Sequence, residues 1–204
     1  MVEFDYTEST ILRQVATRKL KSPLALVVLG LLAEQPLHPY AMRTLIRERG
    51  HERTVPTAGA SVYDAVARLE RTGLIEVQSS SREGRRPERT TYRITTDGKH
   101  ELQAWVRTGL AELGGPDAFQ AAVAFMYALP KTEAIDRLDQ RIAALDGQIE
   151  QAKAGITHAA KTVPAVFLSE ERYAQHMRAA ERDWVAQFAQ QLRSGELSWP
   201  VSAA

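Results

Sequence analysis

The sequence predicts a mainly α-helical chain, in which an N-terminal winged helix-turn-helix with a two-stranded β-hairpin wing is followed by a C-terminal α-helical dimerisation domain. Two observations carry this expectation. Between Leu24 and Val106, three helical segments precede two β-prone runs that flank an arginine-rich loop, Arg82-Glu83-Gly84-Arg85-Arg86-Pro87-Glu88-Arg89. Beyond the Gly114-Gly115-Pro116 break, long helical stripes take over, the first placing Ile135, Leu138, Ile142, Leu145 and Ile149 at heptad spacing. A chain of 204 residues suits one ordinary domain plus an accessory one. The expected division is a winged helix over 1–110 and a helical domain over 111–204.

Each element has a local reason. Ile11, Leu12, Val15 and Leu20 follow the cap-like Thr7-Glu8-Ser9 at near-helical spacing, which predicts a short amphipathic helix over 7–20. Ser22 and Pro23 suit the cap and first position of a second helix, which is apolar on nearly all sides through Leu32 and is therefore expected at the centre of the core. Pro36 ends it. A third helix opens at His38-Pro39-Tyr40 and closes at Gly50. From Thr57 to Thr72, Val62, Val66 and Leu69 form an apolar stripe behind the small residues Ala58, Gly59, Ala60 and Ser61. Residues 74–78 and 89–95 read as strands, and the Thr96-Asp97-Gly98 turn caps the helix bearing Leu102, Trp105 and Val106. A short apolar helix is expected from Ala118 to Leu129, then a long one from Lys131 to Lys161, weakened by Gly147 and Gly155. After Pro164, a second stripe runs through Tyr173, Met177, Ala180, Trp184, Phe188 and Leu192.

Composition excludes several classes of function. Cysteine is absent, which removes disulfides and thiolate metal sites. The longest apolar run, Leu24 to Ala33, is about half of the ~20 residues that span a bilayer, and the start has no basic leader, so the default expectation is a cytoplasmic protein without a membrane partner. The five histidines are scattered, and no nucleophile elbow, His-Glu-x-x-His pair or phosphate-cradling glycine loop occurs, so no catalysis, cofactor or metal is expected. Net charge is only +1, but residues 1–115 hold 17 Lys and Arg against 14 Asp and Glu, while 116–204 hold 9 against 11. Five arginines against two glutamates lie within Arg82 to Arg93. Such local clustering matters more for phosphate binding than the total does.

Several ordered fragments resemble the PadR family of bacterial transcriptional regulators. They are Leu29-Gly30-Leu31-Leu32, Pro36-Leu37-His38-Pro39-Tyr40, the run from Ser61 to Ile75 with Leu69-Glu70-Arg71-Thr72-Gly73-Leu74-Ile75 at its end, and Gly84-Arg85-Arg86-Pro87 continuing through Tyr92 to Gly98, Leu102 and Trp105. The tail resembles the longer members, which carry a C-terminal helical domain for homodimerisation. Pro39 stands where the family often has Gly, and Asp64 where Pro often follows the helix tyrosine. The resemblance implies a homodimeric repressor of double-stranded DNA, often relieved by a small effector.

On that basis a recognition helix over 57–72 is expected in the major groove, with Thr57, Ser61, Tyr63 and Arg68 meeting bases or phosphates and Tyr40 adding a phosphate contact. The wing would offer Arg82, Arg85, Arg86 and Arg89 to the minor groove or its phosphates. The dimer interface is expected from Ile135, Leu138, Ile142, Leu145 and Ile149 together with Tyr173, Met177, Trp184 and Phe188, a surface shared with an intramolecular hairpin. Trp105, Phe119, Phe125 and Trp184 are candidates for lining a pocket for a small aromatic or apolar effector. The alternative from another class is a winged-helix protein-interaction adaptor, whose arginines would meet acidic protein surfaces instead of an operator.

Overall fold

The computed structural model describes residues 22–51, 61–81 and 89–200. The helix expected over 7–20, Thr57, and the loop arginines Arg82, Arg85 and Arg86 lie outside the described residues. The elements run α1 (Pro23–Glu34), α2 (Pro39–Glu48), α3 (Val62–Arg71), β1 (Ile75–Ser81), β2 (Arg89–Ile94), α4 (Thr96–Ala111), α5 (Pro116–Ala124), a short 3-10 turn (Met126–Ala128), α6 (Lys131–Ala159), a second 3-10 turn (Ala165–Leu168) and α7 (Ser169–Ser194). Helices followed by an antiparallel hairpin give the winged helix-turn-helix, and the last two helices give the C-terminal extension.

The chain forms two compact units, Met1–Val106 with Pro116–Ala128, and Arg107–Gly115 with Leu129–Ala204. Unit one is built around α1. Ser22 Oγ accepts from the Ala25 N–H at 3.2 Å and Pro23 takes the first turn, so the helix starts where an unfilled donor would otherwise be left. Every residue from Leu24 to Leu32 is buried, which explains the absence of a polar face. Gly30 is required by packing: a Cβ there would lie 2.1 Å from Cδ1 of Phe125. The α5 segment thus belongs to the core of this unit, although it lies beyond the 110/111 boundary expected from the sequence.

The wing strands pair in register from Ile75 opposite Ile94 to Ser81 opposite Arg89, with a bulge between Val77 and Ser79. Leu37 adds a rung that periodicity could not show: its N–H donates to Tyr92 O at 3.0 Å and its carbonyl accepts from Tyr92 N at 2.9 Å. Gly98 lies against the hairpin base, where a Cβ would stand 2.0 Å from the Leu74 carbonyl oxygen.

Unit two is dominated by the hairpin of α6 and α7. Ala134, Leu138, Arg141 and Leu145 of α6 are buried, and Val185, Ala189 and Leu192 of α7 supply the opposing buried positions. Helix α6 runs unbroken through Gly147 and Gly155, at neither of which would a Cβ meet anything within 4 Å. Arg141, 2% exposed, donates from Nε to Glu181 Oε1 at 2.7 Å and from Nη1 to the Glu112 carbonyl at 2.5 Å. Among the described residues, no helix is long and apolar enough to cross a membrane.

Candidate nucleic-acid interface

The geometry of the interface begins at Ser61. Its backbone is extended (φ −91°, ψ 152°), so α3 begins at Val62 and not at Thr57 as the sequence suggested. The reason is a capping box. Ser61 Oγ accepts from the Asp64 N–H at 3.1 Å, while Asp64 Oδ2 accepts from Ser61 N at 3.4 Å and from Ser61 Oγ–H at 2.9 Å. Two consequences follow for recognition. The Ser61 hydroxyl proton is committed to Asp64, so this side chain reaches a base or phosphate only by giving up a cap. The acidic Asp64 is in turn explained by its own helix.

The apolar side of α3, formed by Val62, Ala65, Val66 and Leu69, is buried and fixes which side chains face outward. Tyr63 is 54% exposed, and Asp64, Ala67, Glu70 and Arg71 share the open side. Arg68 is half-buried at the flank. The small side chain of Ala67 at the middle of the open face lets the backbone approach another surface closely. Gly73, with φ +73°, ends the helix in a left-handed turn and hands the chain to β1.

Helix α2 lies before it. His38 Nδ1 accepts from the Ala41 N–H at 3.0 Å, and Pro39 occupies the first turn. Met42 and Ile46 anchor α2 in the core, leaving Tyr40 64% exposed on the opposite side. In the wing, Arg89 pairs through its backbone with Ser81, directly bordering the arginine-rich loop. Arg93, exposed on β2, is engaged by Glu76 at 2.7 Å. Burial and the nearby Glu70 carboxylate raise the Tyr92 phenol above its usual range, so it stays protonated.

The other expected sites divide. Trp105, Phe119 and Phe125 are buried in unit one, with Phe125 packed onto Gly30; Trp184 belongs to unit two. The indole N–H of Trp105 meets no acceptor among the described residues. Leu138 and Leu145, expected at a dimer interface, are instead consumed by the chain's own hairpin, because α7 covers that side of α6. Ile135, Ile142 and Ile149 remain half-buried. On α7, Tyr173, Met177 and Trp184 are 67%, 51% and 49% exposed, and Phe188 stacks on Trp184 with ring centroids 5.0 Å apart.

Sequence reasoning missed a polar node in unit one. Glu34 at the end of α1 holds Arg49 through two bonds of 2.7 and 2.8 Å and accepts from the Tyr127 hydroxyl at 2.6 Å. The Arg49 guanidinium keeps the Glu34 carboxyl below its usual range, while burial, reinforced by Glu34, pushes the Tyr127 phenol well up. The His51 ring lies tilted with its centroid 5.4 Å from that of Phe125, and burial, then Arg49, lowers its pKa below the ordinary imidazole value. No spacing rule links positions 34, 49 and 127.

Residues 28–104 match the family described as transcriptional regulator PadR-like. Among solved structures, Bacillus subtilis PadR in complex with operator DNA is 18% identical, with 83% of this chain and 98% of that chain covered and a TM-score of 0.36. The smu.1604c protein from Streptococcus mutans UA159 is 16% identical over 80% of this chain and 96% of its own, with a TM-score of 0.39. The PadR-like transcriptional regulator BC1756 from Bacillus cereus is 16% identical over 84% and 98%, with a TM-score of 0.37. No curated protein matches.

Proposed function

We propose that this chain, whose residues 28–104 match the PadR-like family of transcriptional regulators, is a sequence-specific, homodimeric repressor of a pseudo-palindromic operator. The observation that carries the reading is α3: a rigidly capped helix with a buried apolar back and an open face of Tyr63, Ala67 and Arg71. Such a helix fits the major groove, where small side chains permit approach and Tyr63 donates to a phosphate or base edge. The hairpin beside it delivers the loop holding Arg82, Arg85 and Arg86, with Arg89 at its foot, to the neighbouring minor groove or its phosphates.

Two copies are needed for selectivity, since one winged helix buries too little surface for tight specific binding. The exposed Tyr173, Met177 and Trp184 support pairing through α7. A small effector is supported by Trp105, whose buried N–H would be satisfied by a ligand oxygen.

The test is fluorescence anisotropy of the full chain against DNA upstream of its own gene and a shuffled duplex, over a salt series, beside the variant Arg85→Ala/Arg86→Ala. The expected result is selective binding by two chains per site, with the variant losing affinity for both duplexes and about 0.9 of log–log slope per lost phosphate contact. An unchanged slope would remove the wing from the interface. No binding even at low salt would favour the protein-interaction adaptor.

A further inference from the structure

We infer that α2 carries a second phosphate-binding stripe, formed by Arg43 and Arg47 in line with Tyr40, which grips the DNA backbone beside the groove entered by α3. This rests on the DNA-binding reading above and adds two contacts to it. Positions 40, 43 and 47 are three and four residues apart, so at 3.6 residues per turn they fall within an arc of roughly 60°. All three are exposed. Met42 and Ile46, buried on the other side, fix the rotation of the helix so that the stripe cannot turn inward.

Many guanidinium groups are engaged within the chain: Arg49 by Glu34, Arg93 by Glu76, Arg107 by Glu133, Arg178 by Glu171 and Arg182 by Asp146. Arg43 and Arg47 meet no carboxylate among the described residues. Glu48, the one acidic residue of α2, points roughly 110° away from the centre of the stripe. Arg49, two residues past Arg47, is folded back onto Glu34 and does not join it. Two cations without a carboxylate partner among the described residues, and a phenol, on a rotationally fixed helix therefore present an anion-binding edge.

Its length suits a nucleic-acid strand. From Tyr40 to Arg47 the helix rises about 10 Å, or roughly three nucleotide steps of 3.4 Å along one strand. In a helix-turn-helix the first helix crosses the backbone while the second enters the groove, and α2 is that first helix. Arginines placed there set register without reading sequence.

The test compares the full chain with Arg43→Ala/Arg47→Ala and Arg43→Lys/Arg47→Lys on the upstream and shuffled duplexes, by anisotropy from 50 to 300 mM salt. The Ala pair should bind both duplexes more weakly by a similar factor, roughly 10- to 60-fold near 0.1 M salt, with the log–log slope reduced by about 1.8. The Lys pair should keep the slope, and unfolding midpoints should be unchanged. If the Ala pair keeps the wild-type slope, or loses affinity for the upstream duplex alone, the stripe is not a phosphate contact. Wild type binding with a steep slope in that case leaves the DNA-binding reading standing; wild type showing no salt-dependent binding overturns both.

Discussion

At Glu34 a single carboxylate joins three segments that the sequence keeps far apart. Its pKa is depressed chiefly by the hydrogen bonds from Arg49, so its contribution to stability is present above the ordinary value of 4.5 and is lost as pH falls through the lower, folded-state value. Glu34→Gln should therefore cost stability at pH 7 by under about 1 kcal/mol, because the pair is substantially exposed. It should also flatten the acid side of the Tm profile between pH 5 and 3. Thermal unfolding of both proteins over that range checks the prediction, and parallel profiles would mean that the node contributes nothing through charge. The same residue scale shows what a sequence can tell. The buried stripe Val62, Val66, Leu69 was legible, because helical spacing alone defines a face. Asp64 was not: it stood out only as a departure from the proline that often follows the helix tyrosine, since a Ser-x-x-Asp pair identifies a cap only once the extended backbone of Ser61 is known.

Among the elements, α1 was readable as a central helix because no run of nine apolar residues in a small domain can be anything but enclosed. The long α6 and α7 were readable from their periodicity, but periodicity gives faces without saying what covers them. Leu138 and Leu145 lie on the heptad seam, yet their partner is α7 of the same chain. Nor did the seam show that Arg141, a charged residue between them, would be enclosed. Its guanidinium joins α6 to Glu181 of α7 and satisfies the Glu112 carbonyl just past α4, a group that helix ends leave without an internal partner. Arg141→Ala should lower unfolding stability by about 2 kcal/mol, since it removes the charge-assisted bonds to Glu181 and to the Glu112 carbonyl, which keeps only the Gly114 N–H as donor. Arg141→Lys should recover only part of this, because one ammonium cannot reproduce the fork. Denaturant unfolding of the three proteins checks it; equal midpoints would show that the network carries no net energy.

For the whole molecule, the division of labour follows from where apolar surface is left over. The wing unit needs the α5 segment to complete its own core, because Phe125 fills the space above Gly30. A chain cut after Gly115 would lose that ring, whereas one ending after Ala128 would keep it. The helical unit closes its hairpin on one side of α7 and leaves Tyr173, Met177 and Trp184 exposed on the other. Three large apolar side chains at spacings of four and seven make a continuous stripe, and stripes of this kind on a folded chain mark interaction surfaces. Under the homodimer proposal, Met177→Glu places a charge within the paired stripe of each copy and removes an apolar contact from it. The full-length variant should then run as a monomer in light-scattering-coupled gel filtration, with its helical content intact. Operator affinity should fall by about 10²-fold or more, since linking two sites raises avidity by that order, while weak binding to shuffled DNA should persist per chain. A variant that remained a dimer would move the interface off this stripe; a monomer with undiminished operator affinity would show that recognition does not need the second copy.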